Sequence, residues 1–459
     1  MSVRAGRRGP ALAVIAAAQL LIVMDGTIVT VGLPVIGTGL RIAAPDLDWV
    51  LTAYALAFGG LLLAGGRAGD LFGRRRLFRA GLVLFLLASL LGGLAPDGGT
   101  LIAARVLQGA SAAIIAPAAL SLLADTFAPG PERNRALGVY GAMAGLGSVT
   151  GLLLGGALTE YLGWRWIMFV NVPVAVVLLA GTYALVPGTR ERGGLDLPGA
   201  VTATLALGSL VYAINRAGAA GPGDAGTLAA AAAAVVLGAA FAVVQRRARH
   251  PMLPVRVIAD RGRLGANLVM LLMGSGQLAT FYFLTLHMQA VRHFTPMTTG
   301  LAYLPFAVGI GLGSGVLAPR LQARASTRVV LVAGLAVAAA AMAWFGLLDP
   351  DQNPFAVLLP AQLVAGIGLG TGFVGATVGG VDGAAPQDAG VASGLINTSQ
   401  QIGGALGLAV LASAAGSEPA GLLGAGAFYL AAILAAALIV RPGTPAGVTE
   451  REGDPSWTH

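Results

Sequence analysis

Asp25 stands near the middle of a long apolar run, residues 11–36, and no other carboxylate of the chain lies so deep in one. A charged side chain at the centre of a bilayer-spanning helix costs about 2.5–3.5 kcal/mol on insertion scales, so its retention points to use. The chemistry it offers is proton carriage: charged when it faces water, neutral when the protein must reorient. The competing reading is structural, a partner for a buried arginine or a backbone group. Arg105 is the one arginine within an apolar run, close to the outer end of its stretch. It can pair with Asp25, bind a negative group on a ligand, or snorkel its guanidinium to the interface.

A second constellation is Gly66-x-x-x-Asp70-x-x-Gly73-Arg74-Arg75-Arg76. A carboxylate among arginines, beside helix ends, can latch one conformation through charge pairs and helix-dipole contacts. Gly66, Asp70, Gly73 and Arg74 form that candidate latch. Polar side chains within the apolar runs come next: Gln19, Tyr54, Gln108, Gln277, Tyr282, Asn397 and Gln401 are candidates to line a substrate cavity. Taken singly, each is more often glue between helices. Glu160, His287 and Asp382 lie near the ends of runs, where solvated roles are expected. Gly145, Gly147, Gly151, Gly155 and Gly156 cluster in one run, where small residues let backbones approach and helices slide or bend.

Composition removes most other chemistry. Of 459 residues only 10% are charged and 56% are hydrophobic, too little charge to cover a soluble surface of this size. There is no cysteine, so disulfides, thiolate metal sites and catalytic thiols are excluded. The four histidines show no metal-site spacing. Every one of the 28 basic residues is arginine, and without lysine no Walker phosphate loop can form. The glycine-rich strings follow no strand, so a dinucleotide site is rejected as well. The net charge of +8 does not mark a nucleic-acid groove, because the arginines fall in short clusters between apolar runs.

Those runs are the elements that must position Asp25 and Arg105. A helix needs about 20 apolar residues to cross the hydrocarbon core. Fourteen stretches qualify: 11–36, 49–69, 77–95, 100–123, 136–159, 166–186, 197–216, 226–245, 264–289, 297–318, 328–348, 355–380, 389–413 and 419–440. With the N-terminus inside, 23 of the 28 arginines fall on the inner side and four outside, as the positive-inside rule requires. Both termini are then cytoplasmic. The first run continues past Asp25 to Ile36, too long for a cleaved signal peptide. The polar tail past Arg441 reads as disordered.

The two ends of the chain repeat each other weakly. Leu101-Ile-Ala-Ala-Arg105-Val-Leu-Gln-Gly109 matches Leu358-Leu-Pro-Ala-Gln362-Leu-Val-Ala-Gly366, and the Gly66 loop and the run opening at Ala136 have counterparts at similar offsets. Two parallel six-helix units are expected, residues 1–190 and 263–459, with an inserted helix pair over 191–262. Parallel halves around a midplane site are a transporter architecture.

At this point the residues resemble the major facilitator superfamily, in its fourteen-helix drug:proton antiporter branch. The string Met24-Asp25-Gly26-Thr27-Ile28-Val29-Thr30-Val31-Gly32-Leu33-Pro34 resembles that branch's first-helix motif, with Thr30 where Asn is usual. The Gly66–Arg76 loop, Arg105-Val-Leu-Gln108-Gly109, Trp164-Arg165-Trp166-Ile-Met-Phe-Val-Asn171-Val-Pro173 and Asn397-Thr398-Ser399-Gln400-Gln401-Ile-Gly403-Gly404 are similar to further motifs of the family. One departure stands out: Gly151-Leu152 occupies the place of the antiporter motif's Gly-Pro. The resemblance implies an all-α membrane protein of the major facilitator fold in a bacterial plasma membrane. It implies Asp25 and Arg105 as proton-coupling or substrate residues, Asp70 as a latch, and Gly147, Gly151 and Gly155 as a hinge in the fifth helix.

The expected function is proton-coupled efflux of lipophilic or weakly cationic small molecules by alternating access. The chain would be monomeric and powered by the proton gradient, with no cofactor, metal or nucleic acid, and it is not expected to be an enzyme. A dedicated exporter of one metabolite, or a non-transporting receptor or scaffold, are the alternatives.

Overall fold

The computed structural model describes residues 8–43, 46–127, 130–185, 194, 196–249, 251–253, 259–346, 353–383 and 389–440. Every element among them is helical. In chain order they are α1 Arg8–Leu40, α2 Trp49–Phe72, α3 Arg74–Gly93, α4 Gly98–Thr126, α5 Pro131–Tyr161 and α6 Trp166–Ala184. There follow α7 Leu197–Ala220, α8 Ala225–Arg247, α9 Arg261–Val291, α10 Pro296–Gln322, α11 Thr327–Gly346, α12 Pro354–Val381, α13 Ala389–Ala414 and α14 Glu418–Ile439. Thirteen of these are long and apolar enough to cross a membrane. The fourteenth, α13, matches them in length but carries the polar string Asn397 to Gln401. The polar tail past Arg441 lies outside the described residues.

Four of the acids sit at helix starts. Asp97, Asp196, Asp224 and Asp260 each accept a backbone N–H of the following first turn, satisfying a donor that the helix itself leaves free. Gly73 is the single residue between α2 and α3, at φ 98°, a backbone region that side chains resist.

The exterior of the bundle is apolar: Val177, Val235, Leu434 and Leu438 are exposed, as lipid-facing side chains must be. Cohesion comes from close helix approach. α5 runs along α1, where a Cβ on Gly147, Gly151 or Gly155 would come within 3 Å of a backbone oxygen of α1. Their spacing of four puts them on one stripe of the helix. α2 and α3 pack on α4, and α6 lies against α1 and α3. At the other end of the chain α9 packs on α13 and α14, and α12 on α10 and α11. α7 and α8 pair with each other, and α7 packs on α2 and α13.

Candidate functional site

Asp25 lies on α1 and Arg105 on α4, both fully buried, and Arg105 Nη1 donates to Asp25 Oδ2 at 2.9 Å. The snorkelling reading of Arg105 is therefore wrong. α4 begins at Gly98, so the arginine sits about two turns inside the helix, and its side chain is buried. The rest of the cage comes from Gln108 of α4 and from three further helices, α2, α3 and α6. Gln108 Nε2 donates to Asp25 Oδ1 at 3.0 Å and to Ser89 Oγ of α3 at 3.0 Å. Asn171 Nδ2 of α6 donates to the same Oδ1 at 2.7 Å. Arg105 Nη1 also donates to Gln108 Oε1, and its Nε to the Val50 carbonyl of α2. The Tyr54 ring covers the guanidinium at 4.3 Å, its hydroxyl anchored on the Ile22 carbonyl.

Both carboxylate oxygens are thus occupied, and the pair is neutral as a unit. Buried ion pairs of this kind add little net stability, because desolvation offsets attraction, yet removing one partner is costly. The arrangement can hold an excess proton at Asp25 once the pair is loosened and water is admitted. In this conformation no solvent reaches it.

The repeat makes the site one-sided. Gln362 of α12, which occupies the place of Arg105, is equally buried, but neither of its side-chain polar atoms has a hydrogen-bond partner. One end of the chain keeps the position without the ion pair.

The remaining candidates divide by location. Gln108 and Tyr54 belong to the Asp25 cage. Gln277 of α9 accepts from Gln400 Nε2 of α13 at 3.0 Å, Gln401 packs against Gly59 of α2, and Asn397 is exposed. Gln19 is half-buried on α1, and Tyr282 is buried on α9. In the loop set, Arg74 Nη1 bonds Asp125 Oδ1 at 2.6 Å at the end of α4, and Gly66 packs on Pro117 of the same helix. The Asp70 side chain lies outside what the structure describes. Sequence reasoning left Asn171 and Ser89 out of the site. Asn171 was visible as a polar residue in an apolar run, but a lone serine such as Ser89 carries no signal.

Contacts across the bundle are uneven. Where α1 and α5 end, Gln289 Nε2 donates to the Val31 carbonyl at 2.7 Å and the Met297 N–H donates to Glu160 Oε2 at 2.9 Å. There too Gly156 packs on Pro296, and Gly300 on Leu152. Glu160 is therefore a bridge between α5 and α10, not merely a solvated end group, and His287 is buried. Toward the opposite end, the same face of α5 carries Gly138, Gly141 and Gly145, where an added Cβ would meet nothing within 4 Å. Gly311 and Gly315 of α10 are equally open. α5 and α10 are thus packed together at one end of the pair and leave open space beside them toward the other.

Fourteen long helices, an apolar exterior and a charge pair sealed in the interior define a polytopic membrane transport protein. The chain belongs to the major facilitator superfamily, whose family model matches residues 15–408. It is a multi-pass protein of the bacterial plasma membrane. It is 47% identical to the puromycin resistance protein of Streptomyces alboniger over 88% of this chain and 81% of that one. It is 41% identical to the cephamycin export protein of Amycolatopsis lactamdurans, over 90% and 86% of the two chains. Among solved structures, an auto-inhibited peptide transporter of the POT family superposes with a TM-score of 0.64 at 18% identity, covering 93% of this chain and 95% of that one. That likeness speaks for the fold alone. Relatives concerned with antibiotic resistance and export accord with the drug-export branch that the motifs resemble.

Proposed function

We propose that this chain exports lipophilic or weakly cationic small molecules, antibiotics among them, by proton antiport and alternating access. The observation that carries the reading is the sealed Asp25–Arg105 pair, together with α5 and α10 packed close at one end and open toward the other. With both termini cytoplasmic, the closed end is the outer one and the open end takes substrate from the cytoplasm. Residues 1–190 and 263–459 rock against each other as two six-helix halves, the pair within 191–262 riding between them, and the chain works as a monomer. When the outer side opens, a proton adds to the Asp25 carboxylate and the bond to Arg105 is lost. Arg105 stays cationic, held by the Val50 carbonyl, Gln108 and the Tyr54 face. Substrate leaves outward, and the proton is released inward after the return. Gly147, Gly151 and Gly155 let α5 move along α1, and the Gly66 to Arg74 turn holds the inner ends of α2 and α3 in one of the two states.

A narrower reading has support of its own: two relatives are named for one antibiotic each, puromycin and cephamycin. Uptake into inverted vesicles separates the two. Broad export predicts that puromycin uptake is competed by structurally unrelated lipophilic cations and neutral drugs. Competition by close analogues alone would instead establish a dedicated exporter, and no gradient-driven uptake of any compound would sink both.

A further inference from the structure

Asp48 is the first residue before α2 and is only 1% exposed, yet it differs from the other aspartates at helix starts. Asp97, Asp196, Asp224 and Asp260 cap their helices, whereas the Asp48 side chain makes no such bond. Its Oδ2 accepts from Asn215 Nδ2 of the inserted helix α7 at 3.0 Å. Asn215 in turn lies beside Ser413 of α13, whose hydroxyl donates to the Ile214 carbonyl at 3.2 Å. Asp48 Oδ1 is buried without any hydrogen-bond partner. One helical turn on, at the spacing that shares a face, the buried Thr52 hydroxyl also has none. A buried carboxylate oxygen with no partner leaves a donor or cation missing.

The charged and titratable groups around the carboxylate do not supply it. Arg216, next to Asn215, is paired with Asp224 and bonded to Tyr212. Tyr282 of α9 is within electrostatic reach, and Asp46 adds a like charge. α13 contains no ionisable residue. Burial pushes the Asp48 carboxyl up to about 6, against the lowering effects of Asn215 and of the nearby backbone N–H groups of Asp48 and Trp49. Asp25 is the reverse case, a carboxylate with both oxygens satisfied and an arginine against it.

We propose that Asp48 is a second proton-binding site, which takes a proton from the outer aqueous phase as the outer end closes and so holds α2, α7 and α13 together. The proton adds to Oδ1 and cancels the buried charge, while Oδ2 keeps its bond from Asn215. No other bond is made or broken. The inserted helix pair thereby gains a task, since Asn215 of α7 holds the other oxygen. The inference rests on the orientation and the two-state cycle proposed above.

The sign follows from linkage. The closed state binds the proton more tightly than a water-exposed carboxylate near 3.9, so closure is favoured as the pH falls through about 6 toward 4. Across that window the closed-to-open ratio changes by about a hundredfold. With no native cysteine, spin labels can be placed at Tyr161→Cys on α5 and Leu301→Cys on α10, and their separation measured by pulsed electron resonance in nanodiscs. The expected result is a shift to longer separations as pH rises from 4.5 to 7.5. Asp48→Asn, neutral and able to donate, should hold the short separation at every pH. Asp48→Glu should restore the titration, and reads the same site if the amide variant folds poorly. Asp25→Asn should leave it in place. A wild-type titration in Asp48→Asn, a titration lost in Asp25→Asn instead, or closure that follows sodium concentration at pH 7.5 rather than pH, would each overturn the proposal. If proton-coupled transport is absent while the Asp48-dependent titration persists, it is the transport reading that fails and not this one.

Discussion

Asp25→Asn is expected to abolish pH-gradient-driven export while the protein still inserts and purifies as a folded species. The substitution keeps the shape and removes the only proton-accepting oxygen pair in the Asp25–Arg105 cage. Arg105 loses its carboxylate but retains the Val50 carbonyl, Gln108 Oε1 and the face of Tyr54, so the buried cation is not left bare. Gln108 and Asn171 can both still donate to the remaining amide oxygen. A gradient of one pH unit is worth about 1.4 kcal/mol per proton, enough to sustain about a tenfold substrate ratio per proton exchanged. In the variant that ratio should fall to one, while downhill exchange of substrate can continue. Radiolabelled substrate at steady state in inverted vesicles reads the ratio directly. An undiminished ratio in Asp25→Asn would remove the carboxylate from the coupling.

Arg105→Leu carries the second large effect, and it falls on stability first. It leaves the Asp25 carboxylate fully buried with two amide donors and no counter-charge. Breaking a buried pair in this way costs about 3–5 kcal/mol, whereas replacing both partners with neutral groups is often close to neutral. The double variant Asp25→Asn/Arg105→Leu should therefore recover much of the loss. A double-mutant cycle from thermal unfolding in detergent should give a coupling of about 2 kcal/mol or more. Additive costs would mean that the pair does not act as a unit.

Much of this was legible in the sequence, for physical reasons that also mark where legibility ended. A bilayer demands long apolar runs, so thirteen of the fourteen helices stand out by hydropathy, and α13, with its string Asn397 to Gln401, shows more by length than by apolarity. Ionisable residues are expensive inside such runs, so Asp25 and Arg105 stood out by rarity alone. Depth along a run does not say which way a side chain points. Arg105 could thus be read as snorkelling until packing turned it toward Asp25, with Gln108 beside it. Ser89 and Asn171 joined the cage through tertiary contact that no local pattern encodes. Asp48 was hidden for a different reason: it lies in a short polar connection, where an aspartate before a helix is ordinarily a cap. Only the packing of α7 and α13 over it reveals that it is buried and caps nothing.

The central claim, that export is paid for by protons through Asp25, is tested most directly by proton flux in reconstituted vesicles. Purified protein is sealed into liposomes with a pH-sensitive dye inside, a pH gradient is imposed, and exported compound is added. The account predicts substrate-dependent proton movement down the gradient in the wild-type chain and none in Asp25→Asn at equal incorporation. Substrate transport without accompanying protons, or proton movement undiminished in Asp25→Asn, would contradict it.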